Sequence, residues 1–195
     1  MPADRLTRVL ARIDELNGQD PNRETVDGVE RPHQLVNAER VTRWVLRLNP
    51  RLPEALRIAA RGQHVCRWTI PRDRYERNRQ GYLRWRETLK AFHAQKVGEL
   101  MREAGYADGE IARVQAIMSK RLLPDDADTQ TLEDALCLVF LETELGQMRR
   151  KTAEETLRGI IRKTWAKMSP LAKEAAIQLP LADEDRKVVQ KALGT

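Results

Sequence analysis

The apolar residues of the chain recur at the spacing of an α-helix, and this periodicity limits the possible folds more than any other feature. In the first such segment, which Gly18 ends, the apolar positions are Leu6, Val9, Leu10, Ile13 and Leu16. Further segments of this kind follow along the chain, separated by proline, glycine and capping signals. Across 195 residues the pattern predicts one all-α domain, residues 1–195, built as a compact bundle of about eight or nine helices.

The breaks between these segments predict where helices begin and end. Residues 18 to 33, GQDPNRETVDGVERPH, have turn chemistry and predict a long loop, either a connector or part of a binding site. Residues 66 to 77 form a second predicted loop, because a proline interrupts them. Asp108, the Thr152–Glu155 spacing and Ser169–Pro170 each predict a capped helix start.

The composition favours a cytoplasmic protein. The two cysteines, Cys66 and Cys137, have apolar neighbours and are interpreted as reduced core thiols, with a disulfide as the alternative. The first 18 residues carry charges throughout, unlike a secretory signal peptide. The longest apolar run, residues 135–141, is too short to span a bilayer, so no membrane partner is expected.

The net charge of +6 is concentrated in one segment. Residues 61 to 90 contain eight arginines and Lys90 against three acidic residues, and this surplus equals that of the whole chain. A local positive field indicates a site for an anion, although a solvated basic face is the alternative. Because the chain has no glycine-rich phosphate loop, side chains have to bind any phosphate. The candidates are Arg61, Arg67, Arg72, Arg84, Arg86 and Lys90.

The stretch AARGQHVCRWTIPR, residues 59 to 72, ends a predicted core helix in Gln63 and His64. A second histidine, His93, is expected close to the buried face of a long helix that follows. Neutral imidazoles at such positions bind metals, accept protons or only satisfy core hydrogen bonds. The two histidines are therefore candidate catalytic residues, with a structural role left open for each.

Asp134 opens the most apolar predicted helix of the chain. A carboxylate that faces a core needs a cation, a metal or backbone donors, so Asp134 is a candidate metal ligand. The Thr131–Asp134 spacing fits a capping box equally well, and in that case Asp134 only secures the helix start. The sequence has no CxxC, HExxH or GxSxG motif that would identify a reaction.

Five segments closely resemble a family known only as domain-of-unknown-function family 4202, over almost the whole chain. The segments are DPN at 20–22, AARGQHVCRWTIPR at 59–72, GYLRWRETLKAFHAQK at 81–96, QTLEDALCLVFLE at 130–142 and RKTWAKMS at 162–169. The order of elements is also similar, more distantly, to the HD-domain phosphohydrolase superfamily, whose metal ligands are histidine, a histidine–aspartate pair and aspartate. The chain departs from that pattern at Asn37, in place of the first histidine, and at Gln63–His64, in place of the pair.

The distant resemblance implies an HD-like, metal-dependent hydrolase that acts on a small phosphorylated compound or nucleotide. In this hypothesis His64, His93 and Asp134 hold a divalent metal ion, which polarises a phosphoryl oxygen and activates water. Arg61, Arg67 and Arg72 bind the phosphate, and Gln63 orients water or substrate. Without a metal, either histidine could act as a general base. The alternatives are a non-catalytic protein that binds an anionic ligand such as a nucleotide, and an RNA-binding protein that uses the basic segment 61–90.

Overall fold

The computed structural model describes residues 4–194 and confirms the all-α prediction. Within these residues ten α-helices are present, one more than the upper expected number. The helices are α1 (Arg5–Asn17), α2 (His33–Leu48), α3 (Glu54–Gly62), α4 (Arg79–Glu103), α5 (Asp108–Ser119), α6 (Ala127–Val139), α7 (Leu145–Lys151), α8 (Glu154–Lys167), α9 (Pro170–Ile177) and α10 (Asp183–Leu193). The additional helix is α7, which continues from α6 through a π-helical turn at Phe140–Glu144.

The segment predicted as a loop at residues 18–33 contains a β-hairpin. Strand β1 (Arg23–Val26) pairs antiparallel with β2 (Val29–Pro32). Both residues of the connecting turn, Asp27 and Gly28, have positive φ angles, 50° and 79°. An Asp-Gly turn adopts this geometry readily and matches the twist of the two strands. The loop prediction was therefore wrong for the greater part of this segment.

The buried carboxylate of Asp20 fixes the hairpin to the start of α2. Its Oδ2 accepts the backbone N–H of Gln34 at 2.9 Å, and its Oδ1 accepts the backbone N–H of Asn22 at 2.9 Å. Pro32, which precedes α2, makes no side-chain capping bond. Asp20 therefore supplies from a distance the acceptor that the first turn of the helix needs.

Helix α3 lies at the centre of the part of the fold that carries the candidate residues. It packs against α1, α2, α4, α5 and α6, and its Leu56 and Ile58 are fully buried. A Cβ at Gly62, the last residue of α3, would overlap the Val97 side chain on α4. The absence of a side chain at Gly62 lets the two helices approach each other, which brings the end of α3 against α4.

The predicted helix starts have mixed outcomes. Ser169 accepts the backbone N–H of Ala172 at 3.2 Å, with proline in the first turn, as expected. The capping box at Thr152–Glu155 was wrong, because Ala153 precedes α8 and makes no side-chain cap. The prediction for Asp108 was also wrong, since it is the first helical residue.

The buried apolar side chains form one continuous cluster that extends from α1 to α10. Cys66 and Cys137 lie within this cluster as free thiols, as the sequence indicated, and burial raises the pKa of Cys137 to about 12. Among residues 4–194, no helix has the length and apolar character needed to cross a membrane.

Candidate functional site

The chain between α3 and α4 forms a loop that two side chains fix to the start of α4. Trp85 donates its indole N–H to the carbonyl of Ile70 at 2.9 Å. Arg72 donates to the carbonyl oxygens of Tyr75 at 2.9 Å and Glu76 at 2.6 Å. Residues Arg67–Thr69 and Arg72–Arg74 form short 3-10 turns, and the rest is irregular, so this predicted loop is confirmed. The loop carries Arg67, whose guanidinium lies over the Trp85 ring of α4.

His64 and His93 lie side by side, as the metal hypothesis required of them. Their ring centroids are 5.9 Å apart and their planes are inclined by 66°. Asn37 on α2 donates its Nδ2 to Nδ1 of His64 at 2.9 Å. His93 donates its Nδ1 to the carbonyl of Val65 at 2.8 Å, and this bond leaves its Nε2 as an acceptor that is buried and has no partner.

Both histidines are neutral at pH 7. Burial is the first cause that holds the pKa of His64 well below its ordinary value, and the guanidinium of Arg67 is the second. Burial lowers the pKa of His93 to about 4, the Val65 hydrogen bond opposes this change, and Arg67 adds to it. Arg67 thus lies close enough to act on both rings.

A cleft of about 370 Å³ opens at Arg67. It is lined by Pro21, Asn22, Gln34, Arg67, Trp68, Ile70, Pro71 and Trp85. The guanidinium of Arg67 lies 4.8 Å from the ring centroid of Trp85, and the Oε1 of Gln34 is buried without a hydrogen-bond partner. We call this cavity the Arg67 cleft.

Arg67 is the predicted phosphate ligand whose guanidinium is largely enclosed by protein without a polar partner among the described residues. Within residues 4–194 its side chain makes no hydrogen bond and no ion pair, although protein atoms surround most of it. Burial, followed by the neighbouring Arg86, lowers its pKa, and the carboxylate of Glu144 opposes this change. A guanidinium nevertheless stays charged at neutral pH. An enclosed cation that forms no ion pair is unfavourable.

The structure gives all five other candidate cations partners within the chain. Arg84 pairs with Glu76 at 3.2 Å, and Arg86 donates to the hydroxyl of Tyr82 at 3.3 Å. Arg61 forms a two-bond ion pair with Asp14 of α1, at 2.5 and 2.8 Å, and therefore fixes α3 to α1. Arg72 donates hydrogen bonds to the loop carbonyls, and Lys90 pairs with Glu87 at 2.8 Å. Phosphate binding by Arg61 or Arg72 would require these bonds to break.

The side chain of Asp134 links helix α6 to the start of α9. Its Oδ1 accepts the backbone N–H of Ser169 and the Nε2 of Gln130, each at 2.9 Å, and thereby holds the start of α9 against α6. It makes none of its hydrogen bonds with the histidines. The capping-box interpretation of Asp134 was wrong as well, because α6 begins at Ala127 and Asp126 is its N-cap.

The neighbouring Glu133 is also neutralised. It is 3 % exposed and pairs with Lys120 and with Lys167. Burial alone would raise the pKa of Glu133, but the two ammonium groups outweigh it and hold that pKa below the ordinary value. Within residues 4–194, no group of three or more histidine, cysteine, aspartate or glutamate side chains has an arrangement that could hold a metal ion.

No pattern in the sequence indicated a role for Glu144, the last residue of the π-helical turn. That turn is held to α2 by Glu142, which accepts the indole N–H of Trp44 at 2.8 Å. Desolvation raises the pKa of Glu144, while His33 and Arg67 lie near enough to oppose the change. Among the described residues Glu144 has no hydrogen bond or ion pair, and its side chain keeps access to solvent. This carboxylate therefore acts on Arg67 electrostatically without forming an ion pair with it.

A comparison with protein families decides where the chain belongs. The family described as Domain of unknown function (DUF4202) matches residues 7–189, which include every candidate residue discussed above. The chain belongs to this family. No curated protein and no solved structure matches it. The description of DUF4202 states no activity, so a function can be inferred only from the chemistry of the residues in this chain.

Proposed function

We propose that the Arg67 cleft binds a small phosphorylated compound, and that Arg67 is the ligand of its phosphate. The observation that carries the proposal is an enclosed guanidinium that forms no ion pair among the described residues, in a chain that pairs Arg61, Arg113 and Arg149 with carboxylates. A phosphate oxygen pair would form charge-assisted, bidentate hydrogen bonds with Arg67 and remove the cost of its desolvation.

The other groups of the site favour a ligand with more than a phosphate. Gln34 lines the cleft with an amide oxygen that has no hydrogen-bond partner among the described residues. Hydroxyl or ring N–H groups of a ligand are donors for such an acceptor, directly or through water. Trp68 and Trp85 offer flat apolar walls, and the volume suits a small ligand. A nucleotide has a phosphate, hydroxyl groups and an aromatic ring, so it is the class that matches best.

Binding is better supported than metal-dependent hydrolysis. The carboxylates of Asp134 and Glu133 are committed to Ser169 and to two lysines, so the donor set does not fit the three-ligand metal centre of the HD-like hypothesis. The neutral histidines have low pKa values, which makes them weak bases at pH 7. Hydrolysis, like the HD resemblance, stays a prediction, and phosphate release measured with and without a chelator tests it.

A thermal-shift screen tests the binding proposal. The compounds are nucleoside monophosphates, sugar phosphates and the matching nucleosides without phosphate. A ligand at about 100 times its dissociation constant should stabilise the protein by about 2.7 kcal/mol, and the nucleosides should stabilise it less. Arg67→Met should abolish the additional stabilisation that the phosphate group provides. Arg51→Met, which replaces an exposed arginine elsewhere, should leave that stabilisation unchanged.

The stability of the ligand-free variant separates a binding role from a structural one. Methionine retains the contact of Arg67 with Trp85 but removes an enclosed, unpaired charge, so Arg67→Met should not lower the free energy of unfolding. A clear loss of stability would mean that Arg67 supports the fold. An unchanged phosphate-dependent shift in Arg67→Met would refute the proposed role.

A further inference from the structure

The segment that lines the Arg67 cleft also carries four arginines that form no ion pair among the described residues. Arg74 and Arg77 lie on the loop that also lines the cleft, Arg79 begins α4, and Arg86 lies two turns further along that helix. All four are exposed, and among the described residues none of them forms an ion pair. We call these four residues the basic rim.

Neighbouring carboxylates do not neutralise the basic rim. Glu76 pairs with Arg84 at 3.2 Å and Glu87 pairs with Lys90 at 2.8 Å, which leaves Asp73 as the unpaired acid of this segment. Four arginines against one carboxylate leave three uncompensated positive charges. Arg86 lies close enough to Arg67 to lower its pKa, so the positive field extends from the rim into the cleft.

An aromatic side chain accompanies these charges. Tyr82 is 42 % exposed, and the guanidinium of Arg86 lies 5.9 Å from its ring centroid. The ring of Trp85, which lines the cleft, is 6.1 Å from that of Tyr82. An exposed ring between arginines is the combination on which the bases of single-stranded nucleic acids stack, while cations track the phosphates.

We infer that the basic rim and the Arg67 cleft together bind the end of a single-stranded nucleic acid. The terminal nucleotide occupies the cleft with its phosphate on Arg67, and the next phosphates lie on the rim with one base against Tyr82. The inference rests on the proposed function of the cleft and specifies its ligand. Repeated cations beside stacking rings fit a strand of nucleotides better than an acidic peptide, which has no bases to stack.

Fluorescence anisotropy with labelled eight-nucleotide strands tests the inference. The strands carry a phosphate or a hydroxyl group at the unlabelled end, and a poly-glutamate peptide serves as the acidic comparison. The rim variant is Arg74→Ser, Arg77→Ser and Arg79→Ser combined. The matched control removes three exposed cations elsewhere, in Arg51→Ser, Arg57→Ser and Lys163→Ser combined.

The rim variant should bind the phosphorylated strand at least tenfold more weakly at moderate salt, and the control should remain within twofold of the native protein. Loss of three phosphate contacts should reduce the slope of log affinity against log salt by about 2. Stabilisation by mononucleotides should be unchanged in the rim variant. A terminal phosphate should strengthen binding in the native protein and have no effect in Arg67→Met.

Each of the following results would refute one part of the inference. Equal losses in the rim and control variants, or equally tight binding of the peptide, would overturn the nucleic-acid surface. Equal affinity for strands with and without the terminal phosphate would refute the end-binding geometry. In that case, loss of mononucleotide stabilisation in Arg67→Met would still support ligand binding in the cleft. Strand binding without any mononucleotide stabilisation would refute the proposed function and, with it, the placement of the terminal nucleotide.

Discussion

His93 should make the folded protein sensitive to acid. The ring is 3 % exposed, and burial lowers its pKa from an ordinary value of 6.5 to about 4. Between these two values the unfolded chain binds a proton that the folded protein does not bind. The stabilising contribution is therefore complete above pH 6.5 and is lost as the pH falls toward 4. From pH 7 to pH 4.5 this linkage should cost about 2.5 kcal/mol of the free energy of unfolding.

Urea denaturation followed by tryptophan fluorescence at both pH values measures this effect. His93→Asn retains a donor for the Val65 carbonyl but cannot titrate, so its loss of stability between pH 7 and pH 4.5 should be smaller by about 2.5 kcal/mol. Phe92→Leu is the control, because it removes the ring that contacts His93 at 5.6 Å between centroids and leaves the titration in place. The same pH dependence in native protein and His93→Asn would show that His93 is not held neutral by burial.

Two further substitutions test the features that position the site. Asp20→Ala removes the distant cap of α2 and should lower the free energy of unfolding, measured by urea denaturation, by about 1–2 kcal/mol. Asp20→Asn should lower it less, and equal losses in the two variants would show that the charge of Asp20 contributes nothing. Gly62→Ala places a Cβ against Val97 and should cost about 1–3 kcal/mol, and Val97→Ala in the same chain should recover part of this loss. No recovery in the double variant would mean that the backbone of α3, and not the contact with α4, limits that position.

The sequence predicted the helices well where their apolar faces repeat over several turns. The hairpin was missed although the Asp27–Gly28 pair is a strong local signal, because the strands are short and only partly buried. The capping predictions failed where the acceptor is distant in sequence. Asp20 caps a helix fourteen residues later, and this role depends on a folded loop rather than on local spacing.

The candidate site was predictable as a region but not in its details. Arg61 and Arg67 are six residues apart and look equivalent in the sequence. The structure separates them because Asp14, on another helix, forms an ion pair with Arg61, whereas no carboxylate of residues 4–194 forms one with Arg67. The π-helical turn that carries Glu144 has no periodic signal of its own, since it interrupts an otherwise regular helix. Pairing across distant segments therefore decides which charges are available to a ligand.

The electrostatics of the two histidines bear on whether this site suits catalysis or recognition. Burial is the first cause of the low pKa of each ring, and Arg67 contributes after it. A phosphate on Arg67 would cancel the repulsion from the guanidinium, but it would also displace water, so the larger contribution would remain. A general base near neutral pH needs a pKa close to the working pH, whereas a group that orients a ligand needs a fixed protonation state. His64 and His93 have the second property, which is why the geometry favours recognition of a phosphorylated ligand over its hydrolysis.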